Sequence, residues 1–273
     1  MSNGHQTVDV ASVWEALLAE PIFIDDLQQP LRVTFEELER IYLPLAQQLW
    51  MQQRALGRRL LVGVSGLPGS GKSVTAATLA RVLDLLGRAR GDRAIHLSLD
   101  GFHRPNAWLE THTGPDHDGR LVVLRQIKGA PSTFDAEAAA QRLARVRAGE
   151  ESVPFPVYSR ALHDPIPDAI MVTAAHRLVV FEGNYLFLDL PPWPALRALF
   201  DMRLFVETPT PARIHNLRER HLRGGKTLAE TERQIAVDER NAALIAESAR
   251  YAELWLIRSH DGMALQEVRG GKR

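Results

Sequence analysis

Gly66-Leu67-Pro68-Gly69-Ser70-Gly71-Lys72-Ser73 fits the phosphate-binding loop pattern G-x-x-x-x-G-K-[ST]. The apolar run Leu60-Leu61-Val62-Gly63-Val64 leads into it, and an Ala-rich stretch over 74–86 leads out. Strand, glycine turn, helix is the context the pattern needs. Its four fixed positions coincide by chance in about 1% of chains this long, and a chance match rarely sits between a strand and a helix. Three glycines let the backbone fold round an anion with successive N–H groups pointing inward. A helix starting near Gly71 adds unsatisfied donors and the positive end of its dipole. Gly66, Pro68, Gly69, Ser70, Gly71, Lys72, Ser73 and Val74 are therefore the expected nucleotide-binding set. Lys72 is placed to reach the β/γ-phosphates and the Ser73 hydroxyl to bind Mg²⁺.

The chain has 273 residues, enough for one large domain, or one domain with a substantial extension, and a sizeable core. Lys plus Arg number 33 and Asp plus Glu number 33, which argues against holding nucleic acid by bulk electrostatics. With no cysteine, disulfide scaffolds, thiolate metal sites and cysteine nucleophiles are excluded. The opening Met-Ser-Asn-Gly-His-Gln lacks the parts of a signal peptide, and no apolar run is long enough to span a bilayer. The expectation is a soluble cytoplasmic protein without membrane or nucleic-acid partners.

Residues up to Ala11 read as a polar tail. Thr34 followed by Glu37 reads as a capping box, and Leu38, Ile41, Tyr42, Leu45 and Leu49 recur at helical spacing, with Pro44 expected to kink or interrupt the helix. Strands are predicted at 60–65, 94–99, 178–181, 202–206 and 254–257, and helices at 72–86, 136–148, 211–221 and 228–248. The alternation predicts an α/β fold with a doubly wound parallel sheet. Between 101 and 177 the pattern is looser and rich in Pro, Gly and His, an insertion of the length that usually carries function.

Asp100 ends the second strand, where a carboxylate faces the ligand crevice and could orient or deprotonate an attacking hydroxyl. Capping the Asp100-Gly101 turn is the plainer alternative. Glu182 ends the apolar strand before Gly183, where a carboxylate can hold Mg²⁺; a solvated strand end is its alternative. Arg213, Arg218, Arg220, His221, Arg223 and Lys226, with Gly224 and Gly225, suit a mobile lid over a triphosphate or a merely solubilised helix. Pro154-Phe155-Pro156-Val157-Tyr158-Ser159-Arg160 with His163-Asp164 offers donors and an aromatic wall to a small polar substrate, or is a connecting loop. His103, His112, His117 and His163 match no standard metal-ligand spacing.

Together these segments resemble the phosphoribulokinase/uridine kinase superfamily of P-loop kinases, most closely its type I pantothenate kinase-like branch. The resemblance covers nearly all the chain after about residue 35. It rests on Ile41-Tyr42-Leu43-Pro44-Leu45, on Asp100-Gly101-Phe102 with Pro105-Asn106, and on Lys128-Gly129-Ala130-Pro131-Ser132-Thr133-Phe134-Asp135. Pro156-Val157-Tyr158-Ser159, His163-Asp164-Pro165-Ile166-Pro167 and Val180-Phe181-Glu182-Gly183-Asn184-Tyr185-Leu186 complete it.

The resemblance implies a P-loop NTPase fold: a helical N-terminal extension over 1–57 and a kinase domain over 58–273, with an acceptor-side insertion at about 101–177 and a lid at about 213–228. It implies ATP and Mg²⁺ as cofactors, Asp100 as catalytic base, Lys72 and Arg223 on the phosphates, and Ser73 and Glu182 on the metal. Acceptor contacts would come from His103, Tyr158, Arg160, His163 and Asn241, and analogy with related kinases implies a homodimer. The chain departs from pantothenate kinases in having no aromatic residue from Lys226 to Asn241 and Arg160 where those enzymes carry a histidine. A smaller or more polar acceptor is expected, and Asp238-Glu239-Arg240-Asn241 with Ile245 is similar to a less characterised sugar and nucleoside kinase-like branch. The reading is an ATP-dependent kinase of a small-molecule hydroxyl. A nucleotide-hydrolysing regulator is the alternative, but Asn-Lys-x-Asp is missing and the Asp-x-x-Gly at Asp116–Gly119 ends no strand. Intact Lys72, Ser73, Asp100 and Glu182 argue against a binding module that only holds nucleotide.

Overall fold

Five strands read from the sequence lie side by side in one sheet of the computed structural model, which describes residues 9–20, 22–24, 27–29, 33–116 and 118–270. Of the polar tail expected up to Ala11, residues 1–8 fall outside the described residues, as does His117, while Asp9 caps a helix that already includes Val10 and Ala11. The strands are β1 (Leu60–Gly66), β2 (Arg93–Ser98), β5 (His176–Glu182), β6 (Met202–Glu207), β7 (Leu254–Arg258) and an edge strand β8 (Leu265–Gly270) that the sequence reading did not contain. Their spatial order is β8-β7-β6-β1-β5-β2, parallel throughout except for β8. From β1 the chain crosses to β2 and β5 on one side and later adds β6 and β7 on the other. The switch point, and hence the ligand crevice, lies at the carboxyl end of β1.

Alternation along β1 divides the core. Leu60, Val62 and Val64 pack with α1 (Val10–Ala19), α2 (Leu43–Leu56) and α3 (Lys72–Gly87) on one face. On the other, Leu61 joins α4 (Ala136–Arg147) and Phe181, Phe200 and Phe205. A Cβ on Gly63 would stand 2.8 Å from the Phe200 ring, so this face of β1 admits no side chain there.

The capping box is present: Thr34 Oγ1 accepts from Glu37 N at 3.1 Å and Glu37 Oε2 accepts from Thr34 N at 2.8 Å. The other Glu37 oxygen accepts from Leu265 N at 2.7 Å and fastens this buried helix start to β8. Pro44 does not break the helix. A π-helical turn over Leu38–Tyr42 runs unbroken into α2, and this widened turn directly before Pro44 accommodates the N–H the proline lacks.

The insertion is more ordered than the sequence suggested. A long antiparallel hairpin, β3 (Ser152–Ser159) with β4 (Asp164–Thr173), pairs Phe155 with Ile170 and Val157 with Ile166. Pro154, Pro156, Pro165 and Pro167 hide its alternation in the sequence. A two-stranded ribbon tolerates them because it has open edges and a register shift between Phe155 and Val157. Two further helices, α5 (Thr210–Arg223) and α6 (Leu228–Ser248), follow β6.

Two buried carboxylates tie the strand starts to arginines. Asp201, with its side chain only 7% exposed, accepts from Arg58 Nη1 and Nη2 at 2.9 and 2.6 Å and from Leu61 N at 3.0 Å. Asp84 accepts from Arg93, Arg88 and Ala94 N. Burial pushes both carboxyls up, but the arginines and backbone donors outweigh it and hold both below the usual carboxylate range. A depressed folded-state pKa stabilises above the unfolded value, and that contribution disappears as pH falls below it. Denaturant unfolding should show stability falling below about pH 4. Asp201→Asn should lose about 1–3 kcal/mol at neutral pH and show a flatter acid limb; an unchanged acid limb would contradict the assignment.

Candidate active site

Three strand ends deliver the chemistry. The loop after β1 carries residues 66–73, β2 runs into Asp100, and β5 ends on Glu182.

Three of the loop's carbonyls are taken by donors from outside it. Ser70 N closes a tight turn on Leu67 O at 3.0 Å. Pro68 O accepts from Arg213 Nη1 at 3.1 Å, Gly69 O from Asn216 Nδ2 at 3.1 Å, and Ser70 O from Thr208 Oγ1 at 2.8 Å. With carbonyls held outward, the intervening N–H groups turn inward into an anion-binding concavity. Gly69 and Gly71 adopt φ of +79° and +80°, conformations that any L side chain would strain.

Lys72 opens α3 and is 8% exposed. Burial lowers its pKa, while the carboxylates of Glu182 and Asp100 pull it back up. Burial acts on Glu182 in the opposite direction and raises it, opposed by Lys72 and by hydrogen bonds from Ser98 and Ser73. The Ser98 hydroxyl donates to Glu182 Oε1 at 2.6 Å and accepts from Asp100 N at 3.2 Å, linking the two acidic positions. Burial would also raise Asp100, but Arg160, His103, Lys72 and Arg220 outweigh it and hold the carboxyl below its ordinary range. Arg160 Nη2 lies 3.1 Å from Asp100 Oδ2.

Beside Asp100 stands an aromatic and cationic wall. The His103 ring packs 3.9 Å from Phe134 and 5.0 Å from Tyr158, measured between ring centroids. His103 Nδ1 is 2.8 Å from Asp100 O; a carbonyl only accepts, so Nδ1 carries a proton. Burial lowers the His103 pKa, which favours a neutral ring with Nε2 as an acceptor. Tyr158 is buried and its phenol is pushed up to about 12, so it stays protonated. Lys128 Nζ and the Arg160 guanidinium stand over its ring at 5.2 and 5.3 Å. Lys128 also bonds Asn106 Oδ1 and His163 O, both at 2.7 Å.

The structure thus brings together Lys72, Ser73, Asp100, Glu182, His103, Tyr158 and Arg160. Three other expected residues stand differently. Arg223 is exposed at the end of α5 and bonds Glu219 O at 3.3 Å; the arginine of this helix whose field reaches Lys72 and Asp100 is Arg220, one turn earlier. His163 turns an exposed ring outward and contributes its carbonyl. Asn241 is buried on α6 with Oδ1 unbonded among the described residues. Arg213, grouped by sequence with the lid cations, is a clamp: it is 3% exposed and held by Glu239 at 2.5 and 2.9 Å. Ser98, Thr208 and Asn216 were missed, because nothing local marks a serine or asparagine whose partner lies over eighty residues away in the chain.

No family model matches the chain. It is 34% identical over 231 residues to YggC of Escherichia coli K12, an uncharacterized protein, covering 83% of this chain and 90% of that one. It is 31% identical over 177 residues to "Putative uridine kinase C227.14" of Schizosaccharomyces pombe, covering 64% of this chain and 72% of the relative. Among solved structures, a "putative fructose transport system kinase" from Silicibacter sp. TM1040 superposes with a TM-score of 0.64 at 31% identity. That match covers 76% of this chain and 94% of the other.

The hairpin approaches Asp100 so closely that a Cβ on Gly101 would sit almost on the Pro156 carbonyl. Gly101→Ala should therefore cost about 1–3 kcal/mol in denaturant unfolding. Gly270→Ala, which like Gly101 has no positive φ but has no neighbour near its Cβ, is the control and should cost little. Equal losses in both would show that the hairpin contact is loose.

Proposed function

We propose a mechanism and an acceptor class for this chain, which belongs to the superfamily of P-loop kinases that includes uridine and pantothenate kinases. It is an enzyme of phosphoryl transfer, and we read its reaction as ATP-dependent transfer of the γ-phosphate to a hydroxyl of a small polar metabolite. The observation that carries this is the buried cluster of Lys72 between Glu182 and Asp100, opening beside the wall of His103, Tyr158 and Arg160.

ATP would lie with its β- and γ-phosphates in the loop, on Lys72 and the inward N–H groups. Asp100, ionised under the field of Arg160, would accept the acceptor's proton as that oxygen attacks the γ-phosphorus in line. The bond to the β–γ bridging oxygen then breaks and ADP leaves. Lys72 and Arg220 would neutralise charge building on the transferring and leaving groups. Arg223, exposed at the same helix end, would reach the phosphates only by movement of α5. The Ser73 hydroxyl and Glu182 carboxylate, hard oxygen donors joined by a hydrogen bond, suit Mg²⁺. When bound, Mg²⁺ supplies neutralisation of phosphate charge.

Tyr158 and His103 would position the acceptor as donor and acceptor of hydrogen bonds, with Arg160 beside them and His163 and Asn241 at the margins. The absence of aromatic residues from Lys226 to Asn241 supports a small polar acceptor such as a sugar, nucleoside or hydroxy acid over one needing an apolar cover. We read 1–57 as an extension on the kinase domain at 58–273. Among the described residues no helix is long and apolar enough to cross a membrane, and we infer a cytoplasmic enzyme, homodimeric by analogy.

ATP consumption should depend on one member of an acceptor panel of sugars, nucleosides, glycerate and pantothenate. Equal turnover with every acceptor and with none would sink the kinase reading. Asp100→Asn should keep ATP affinity near wild type and lose at least about a hundredfold in transfer. Full activity in that variant would leave Asp100 a turn residue. Arg220→Ala should reduce kcat by about 10–100-fold, and Arg223→Ala by less; the reverse order would restore the lid role to Arg223.

A further inference from the structure

Arg258 closes β7 directly behind the phosphate-binding loop and is 7% exposed. Its Nη2 donates to Thr75 Oγ1 at 2.8 Å and Gly71 O at 3.4 Å, and its Nη1 to Gly262 O and Met263 O at 3.3 Å each. Nε is buried and unbonded among the described residues. A Cβ on Gly71 would stand 2.9 Å from Nε and 3.0 Å from Cζ, so the guanidinium is packed against the residue that caps α3. All four partners among the described residues are neutral oxygens. Arg213, the other buried arginine on this loop, is matched by Glu239.

A buried cation without a counter-ion is costly to the folded protein. This one stands on the outer side of the loop whose inner side already offers amide N–H groups and a helix N-terminus. An anion seated inside would supply the missing counter-charge across Gly71, through an interior of low dielectric. The gain grows with the charge of the anion.

We propose that Arg258 is a positioning residue that sets nucleotide affinity from behind the loop, touching Gly71 and Thr75 and not the ligand, and that it favours the more highly charged nucleotide. The proposal rests on the reading that nucleotide phosphates occupy residues 66–73.

Calorimetric titration of ATP, ADP and AMP against wild type, Arg258→Lys and Arg258→Met tests it. Arg59→Met is the control, because Arg59 is likewise buried and bonded only to carbonyls, those of Val146, Glu150 and Thr173. Arg258→Met should weaken ATP by about thirtyfold, ADP by about tenfold and AMP little, while Arg258→Lys recovers most of the ATP affinity. Arg59→Met should leave the ATP-to-ADP affinity ratio at the wild-type value. If Arg258→Met does not fold, Arg258→Gln removes the charge and keeps a donor for Thr75.

An equal loss for ATP and ADP, no loss at all, or a lysine variant as poor as the neutral ones overturns the proposal. If wild type still transfers phosphate to an acceptor, that result overturns this inference alone. A wild type that binds neither ATP nor ADP overturns the kinase reading with it.

Discussion

A loop that binds an anion with its amide N–H groups must send its carbonyls elsewhere, and every buried carbonyl needs a donor. That constraint organises the carboxyl end of this sheet. Thr208, Arg213 and Asn216 reach the loop from the β6–α5 junction and Arg258 from the end of β7. The neighbouring strands thus do more than cover an edge, because the segments after them hold the carbonyls of residues 68–71. Parallel pairing of β6 with β1, in register from Met202 with Val62 to Val206 with Gly66, brings these donors to the right height.

The same parallel geometry explains why chemistry gathers at one end. Strands that run in one direction end on one side, so Gly66, Ser98 and Glu182 come to adjacent positions although the chain separates them widely. Pairing Ser98 opposite Glu182 places the serine hydroxyl on that carboxylate. The two acids then answer burial differently. Glu182 has Lys72 and two hydroxyls and is raised; Asp100 has Arg160 and His103 as well and is lowered.

What the sequence made legible follows from range. Residues 60–86 announce themselves because strand, turn and helix interact with their own neighbours, and the capping box at Thr34 is equally local. Asp100 and Glu182 were found because each ends an apolar run. The hairpin β3–β4 stayed hidden behind its prolines, and β8 because everything after Leu265 is exposed and includes Gln266, Glu267 and Arg269, which break any apolar alternation. Arg213 looked like its exposed neighbours because helical sequence does not reveal which arginine turns inward. Burial against Pro68 and Glu239 is a property of two distant segments meeting.

Asp100 poses a last question of strength. A carboxylate held low by Arg160 is a weaker base than an ordinary aspartate, yet it stands where proton transfer is expected. In phosphoryl transfer through a loose transition state, little charge develops on the attacking oxygen before the leaving bond is largely broken. Early proton removal then contributes little, and orientation of the hydroxyl contributes more. A low-pKa carboxylate fixed by Arg160 and by the bonds of its own backbone to Ser98 and His103 suits that task. The arginine trades basicity for position, which accounts for its standing against the acid beside His103 and Tyr158.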